Sequence, residues 1–314
     1  MVRFLAAFVL LAVVPIPRML GQDSDSISVS RTRATPPPSS SPSPLCVQDL
    51  RSDPNSGVVV SEVLLEGTTV GSSELSSIKH HIEGACLDEQ SELIEEMIRA
   101  AFQDHGFAQV EVENTTLKAA DTLAIPKPVT VKADITEGPR FRFGAIRFTG
   151  NRAFSDAKLR AAFPIKKGDL FKRSKIKAGL AEIQKLYVPK GYEDLVFEPG
   201  IMFAPTGTVG LTIAISEGPQ YHMGELKIYA KKEESDRLAS AWSLQSGMVF
   251  DGNYPEKFLD GSHSLPPEVG EQNIVLVRNC PEASIAVLLI VDQTDAGLQN
   301  PPKDVKCKKT DNTD

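Results

Sequence analysis

The sequence has few aromatic residues: 14 Phe, 5 Tyr and one Trp among 314 residues. A membrane β-barrel needs two aromatic girdles and at least eight strands of about ten residues, so we expect no integral barrel in this chain. Long hydrophobic runs are also scarce. The best one beyond the N-terminal region, Ser284–Val291, has the length of a strand. The formal net charge of −7 gives no basic signature, and we expect no nucleic-acid partner.

The common signatures of catalytic sites are missing as well. None of the five histidines lies in an H-E-x-x-H pattern, and neither G-x-S-x-G nor a Walker loop occurs. The sequence therefore predicts no enzyme activity, no catalytic residues, no cofactor and no metal. The four cysteines form no C-x-x-C pair, which argues against zinc, and their even number permits disulfides whose pairing stays open. They are Cys46, Cys86, Cys280 and Cys307.

The N-terminus has the features of a secretory signal. Arg3 precedes the apolar run Phe4–Pro15, which is too short to span a bilayer, so residues 1–22 are interpreted as a signal peptide. An uncleaved N-terminal anchor is the alternative. Residues 23–56 are predicted to be a disordered tether, because Ala34–Leu45 contains five Pro and four Ser. The chain is thus expected to be exported.

An internal repeat of about eighty residues organises the rest of the chain. Glu137–Ile146 and Glu217–Leu226 share an E-G-P motif followed by a glycine, and the shift between them is 80 residues. Gly168–Phe171 and Gly247–Phe250 repeat in the same way. The repeat divides the chain into a first unit (57–137), a middle unit (138–218) and a third unit (219–295), followed by a polar tail (296–314).

Each unit has the element order β-α-α-β-β, with two helices predicted to cover one face of a three-stranded mixed sheet. In the middle unit, Ser155 and Ser174 are expected to cap the two helices. In the third unit, prolines and glycines between residues 252 and 267 exclude an ordinary long helix, so this unit is expected to be degenerate. The predicted strands include Val58–Glu66, Phe107–Glu113, Val129–Thr136, Tyr192–Glu198, Thr208–Ser216, Asn273–Asn279 and Ser284–Val291.

At these residues the sequence resembles tandem POTRA (polypeptide-transport-associated) domains, the periplasmic modules of the BamA-type outer-membrane assembly family. The middle unit carries the resemblance most strongly, and the third unit carries it only at its ends. The resemblance implies an α+β fold and a periplasmic location, with a possible association with the outer membrane. The matching segments are Glu137–Pro139, Gly144–Asn151, Gly168–Phe171, Leu186–Tyr187, Gly191–Tyr192 and Glu217–Pro219.

The resemblance implies binding of polypeptide by β-augmentation at the edge of the second strand of a unit. The expected partners are unfolded or barrel-type outer-membrane polypeptides, an outer-membrane assembly complex, or both. Alternating acidic residues on the same strands are also what protects an edge from aggregation, and this alternative stays open. The candidate edge residues are Val110, Glu111 and Val112 in the first unit and Leu195, Val196 and Phe197 in the middle unit.

Charge is distributed unevenly among the units. The first unit holds 5 basic and 15 acidic residues, the middle unit 14 and 7, and the third unit 6 and 12. The middle unit therefore offers a candidate patch for anionic headgroups or an acidic partner, the alternative being a solvated helix face. Its residues are Lys166, Lys167, Lys172, Arg173, Lys175 and Lys177.

These observations predict a non-enzymatic, periplasmic polypeptide-binding protein that acts in outer-membrane protein assembly or secretion. The alternative is a structural adaptor, a spacer that docks onto an envelope complex without handling substrate.

Overall fold

The computed structural model describes residues 58–87, 91–120, 127–261, 269–270 and 273–291. The predicted signal peptide, tether and polar tail lie outside the described residues, as do Cys46 and Cys307. Cys86 and Cys280 are each disulfide-bonded. The pairing of the four cysteines stays open.

The first unit contains a four-stranded sheet in the order β2-β1-β4-β3. Strand β2 was not predicted: after the first helix the chain turns back, and two residues pair with Val58 and Val59. Strand β3 starts at Glu111 and not at Phe107, because hydrogen-bonded turns occupy the residues before it. The elements are β1 (Val58–Glu66), α1 (Ser72–His80), β2 (Cys86–Leu87), α2 (Ser91–Gln103), β3 (Glu111–Ala119) and β4 (Lys127–Thr136).

The middle unit contains a three-stranded sheet in the order β5-β7-β6. Ser155 caps the first helix as predicted, since its hydroxyl accepts a hydrogen bond from the Lys158 amide at 3.4 Å. The predicted Ser174 cap is wrong. Helix α4 begins at Arg173 with Lys172 as its N-cap, two residues earlier than predicted, and the Ser174 amide donates to Oδ1 of Asp104 in the first unit at 2.7 Å. The elements are β5 (Arg142–Thr149), α3 (Asp156–Ala161), α4 (Arg173–Tyr187), β6 (Val196–Ala204) and β7 (Thr208–Ser216).

The third unit has the sheet order β8-β10-β9. A seven-residue helix lies where the sequence excluded an ordinary helix. Pro255 fits because it lies in the first turn, where no backbone N–H is needed. Phe258 is buried with its ring centroid 4.9 Å from that of Trp242 at the end of the preceding helix, so α6 packs into the core of the unit. The elements are β8 (His222–Tyr229), α5 (Lys232–Ala241), α6 (Tyr254–Asp260), β9 (Ile274–Asn279) and β10 (Ser284–Ile290).

Each unit has its own hydrophobic core between the helices and one face of its sheet. In all three units the first strand pairs in parallel with the last, and each of these pairs contains a register shift. The outer strands β3, β6 and β9 each pair antiparallel with the last strand of their unit. The repeated topology therefore places an equivalent strand at the same edge of every sheet.

Candidate functional site

Strand β6 forms one edge of the middle sheet. It pairs with β7 over nine consecutive residues without a register shift. Val196 and Met202 on this strand are large apolar side chains that remain 50% and 67% exposed. Of the other predicted edge residues, Leu195 precedes the strand, and both Leu195 and Phe197 pack partly against the core of the middle unit. The structure therefore places Val196 and Phe197 on an outer strand, with only Val196 turned to solvent.

Strand β3 of the first unit differs from β6 because it is interrupted. Its pairing with β4 shifts register between Glu113 and Thr116, where Asn114 has a φ of +51° and its side-chain amide donates to Asp134 at 2.8 Å. A bulge of this kind bends an edge strand and limits pairing with another chain. Three regular residues precede the bulge in this strand.

The predicted residues of the first-unit edge have different environments. Val110 lies just before β3, and Val110 and Val112 are buried in the core, whereas Glu111 is exposed. Strand β9 is the equivalent outer strand of the third unit, and the sequence argument did not assign an edge there. The strand itself was predicted as Asn273–Asn279 from its place in the repeat, and its position at the sheet edge follows from the observed strand order.

The predicted basic patch does not form one surface. Arg173 is 4% exposed and forms an ion pair with Glu96 of the first unit, while its guanidinium also donates to the Gln103 side chain at 3.3 Å. Arg173 therefore lies in the contact between the first and middle units, called the first joint below, and does not belong to an exposed patch. Lys177 lies beside this joint, where partial desolvation and the neighbouring guanidinium lower its pKa.

The remaining lysines surround the turn before helix α4. Lys175 lies 3.7 Å from Asp169, whose pKa is lowered chiefly by the hydrogen bond it accepts from the Lys166 amide. No carboxylate among the described residues lies within ion-pair distance of Lys166, Lys167 or Lys172, and all three are exposed. Binding of an anionic surface by these lysines stays a prediction.

The joints between units repeat one backbone contact. In the first joint, the Gly106 carbonyl accepts a hydrogen bond from the Phe141 amide at 2.9 Å. In the second joint, the Gly191 carbonyl accepts from the Tyr221 amide at 2.8 Å. Both aromatic side chains are buried, and both glycines have positive φ. Neither of these joint contacts was predicted from the sequence.

The glutamate of each E-G-P motif links the end of its unit to the loop after the first strand of the same unit. Glu137 accepts hydrogen bonds from the amides of Thr69 and Val70 in the loop after β1. Glu217 accepts from the Arg152 and Ala153 amides in the equivalent loop after β5. Burial raises the pKa of Glu137, but the hydrogen bond from the Thr68 hydroxyl and the two amide bonds outweigh it and hold the pKa below its ordinary value. The repetition of a glutamate before Gly-Pro was the sequence signal for this role.

The middle unit matches a known family. Residues 141–218 match the POTRA family, described as "Surface antigen variable number repeat". These residues form a POTRA domain. The tandem POTRA fold is also seen in the crystal structure of BamA POTRA domains 3–5 from Haemophilus influenzae, which has 18% identity and a TM-score of 0.56. That alignment covers 76% of this chain and 97% of the other.

A curated relative of the chain is a "Putative outer membrane protein assembly factor" from Treponema pallidum (strain Nichols), 24% identical over 206 residues. The alignment covers 60% of this chain, which spans about a quarter (24%) of the relative's length. None of the described helices is long and apolar enough to cross a membrane. In the described part of the chain, His, Cys, Asp and Glu residues form no group of three that could hold a metal ion.

Proposed function

We propose that this protein is a non-enzymatic, periplasmic polypeptide-binding protein of outer-membrane protein assembly or secretion. It binds extended segments of unfolded or barrel-type outer-membrane polypeptides by adding them as a strand to a sheet edge. The POTRA fold and the relative named as an assembly factor support this role.

The outer edge of β6 is the observation that carries the proposal. An edge strand presents a row of backbone N–H and C=O groups that an extended chain can pair with, and on β6 this row lacks one donor, at Pro199. Val196 and Met202 add apolar contact area on the face of the sheet away from the helices, where their side chains are exposed. Such cross-strand contacts contribute about 0.2–1 kcal/mol each.

An aggregation assay tests the proposal. An unfolded outer-membrane barrel protein is diluted from urea with and without the full chain, and light scattering is followed. The wild type is expected to delay aggregation, and Met202→Lys is expected to shorten the delay because it replaces an apolar contact with a charge. Leu93→Lys is the matched control, since Leu93 is 51% exposed on α2, away from any strand edge. Equal loss of activity in both variants contradicts a specific role for β6.

The alternative function is a structural adaptor that docks onto an envelope complex. The repeated joints favour it, because units held by the same contact form an arm of defined geometry. An adaptor does not need to bind unfolded chains. If the wild type fails to delay aggregation but is recovered with an outer-membrane assembly complex, the adaptor role is the correct one.

Anionic headgroups are a second proposed partner, supported by the unpaired exposed lysines Lys166, Lys167 and Lys172. Sedimentation with anionic vesicles in low salt tests this, and binding is expected to fall as salt screens the charges. Replacement of the three lysines by glutamine should abolish the binding. Binding that is unaffected by salt or by the substitution would rule the proposal out.

A further inference from the structure

Strands β6 and β3 approach each other at the first joint. Gln109, which lies just before β3, and Phe203 and Ala204, at the end of β6, line one pocket of about 320 Å³. The floor of the pocket is aromatic, because the rings of Phe141 and Phe203 lie 4.8 Å apart. The pocket is completed by Pro139, Pro205 and Gly207.

The two edges also run in the same direction through the joint. Strand β4 ends at the joint, and its last residue Thr136 pairs with Glu111, so β3 begins there and runs away from it. Strand β7 begins at the joint, and its first residue Thr208 pairs with Ala204, so β6 ends there. A single extended chain can therefore lie antiparallel to β3 and then to β6 without reversing its direction.

Each edge is short when it is considered alone. The bulge divides β3 into two short regular segments, Glu111–Glu113 next to the joint and Thr116–Ala119 beyond it. On β6, Pro199 lies within an unbroken register, which places its missing N–H on the open side of the strand. By alternation, Ile201 and Phe203 turn their backbone groups to the same open side. The continuous pairing surface next to the joint is therefore the half of β6 after Pro199.

We infer that one extended polypeptide segment binds across both edges, with an apolar side chain in the pocket between them. This inference rests on the proposed function and specifies the segment that is recognised. Glu111 and Glu113 are exposed and have no basic partner among the described residues, so the part of the segment along β3 carries Lys or Arg. The part along β6 is apolar on the side that faces Met202, with an aromatic or large aliphatic residue at the joint.

Peptides of two lengths test the inference on the full chain. A peptide of about 14 residues spans both edges at roughly 3.3 Å per residue, and two peptides of about six residues match one edge each. Because joining two contacts raises the effective concentration of the second, the long peptide should bind at least about tenfold more tightly than either half. Hydrogen exchange should slow in Glu111–Glu113 and in Ile201–Ala204 together. Protection of one edge alone overturns the inference.

Variants at the first joint distinguish binding of one segment across both edges from strand addition at one edge. Gln109→Trp fills the pocket and should reduce the affinity for the long peptide to that of the β6 half, without affecting the β6 half itself. Gln184→Trp, on the exposed face of α4, is the control and should leave both affinities unchanged. If the peptide that matches β6 binds and the long peptide binds no more tightly, binding across both edges is refuted and strand addition at β6 alone is retained. If no peptide binds, the proposed function fails as well.

The charge preference is tested separately. The double substitution Glu111→Lys and Glu113→Lys should weaken binding of the long peptide with lysines and strengthen binding of a version with glutamates at the same positions. Glu83→Lys, at an exposed turn of the first unit, changes the net charge by the same amount as each edge substitution made singly and is the control for the single variants. An equal effect of the control and the edge variant contradicts charge recognition at β3.

Discussion

Replacing Gly191 by alanine tests whether the second joint depends on close backbone contact. Gly191 has a φ of +78°, a conformation that costs an L side chain about 1–2 kcal/mol. An added Cβ would also lie 2.5 Å from the Tyr221 carbonyl oxygen and 3.3 Å from that of Phe250. Both oxygens belong to the backbone of the third unit, so this contact is relieved only if the two units move apart.

Gly168→Ala provides a matched control, because Gly168 has a φ of +90° and nothing lies within 4 Å of its added Cβ. We expect Gly168→Ala to lower the free energy of unfolding only by the cost of the left-handed conformation, about 1–2 kcal/mol. Gly191→Ala should lower the free energy of unfolding by about 2–5 kcal/mol in total, since displacing the buried Tyr221 amide from its bond adds about 1–3 kcal/mol to the conformational cost.

Two measurements check this difference between the variants. Trp242 is the single tryptophan and lies in the third unit, so its fluorescence during urea unfolding reports on that unit. Hydrogen exchange of the Tyr221 amide should become faster in Gly191→Ala and stay unchanged in Gly168→Ala. Equal losses of stability, with Tyr221 equally protected in both, would refute the reasoning.

Three further predictions concern the polar groups of the fold. Glu96→Gln should destabilise the first joint by about 2–3 kcal/mol, which is less than the roughly 3–5 kcal/mol for breaking a fully buried ion pair because Glu96 is partly exposed; urea unfolding measures this loss. Asp104→Ala should cost about 1 kcal/mol, as loss of a helix cap does, and should speed exchange of the Ser174 amide. Because the pKa of Glu137 is lower in the folded than in the unfolded protein, its ionisation stabilises the fold above the unfolded pKa of about 4.3. This stability is lost as the pH falls through the lower folded pKa. Acid unfolding of Glu137→Gln should therefore show a shallower pH dependence than that of the wild type below about pH 4.

The sequence predicted the regular strands well where alternation continues without interruption. Val58–Glu66 and Thr208–Ser216 have the predicted boundaries, since buried and exposed positions alternate along most of each strand. The strands after the long helices start later than predicted. Phe107 and Tyr192 follow a glycine and resemble the start of a strand, but they pack on aromatic residues at the end of the preceding helix. A local pattern does not distinguish these two uses of an aromatic residue.

The candidate site was predictable only in part. The strands that carry the edges could be found from their pattern, but the bulge in β3 depends on the register with β4 and is not visible in one strand alone. Arg173 was misassigned for a similar reason. It lies within a run of lysines, and its partner Glu96 is far away in the chain, so no local feature separates it from the exposed residues beside it.

The alternation of charge between units explains one joint and not the other. In the first joint, a base of the middle unit, Arg173, meets an acid of the first unit, as the net charges of these units suggest. In the second joint the signs are reversed, because Asp194 belongs to the middle unit and lies 3.7 Å from Arg278 of the third unit. Net charge therefore does not determine how units dock. The contact common to both joints is the bond between a glycine carbonyl and the amide of a buried aromatic residue, and the side-chain charges are added to it differently in each joint.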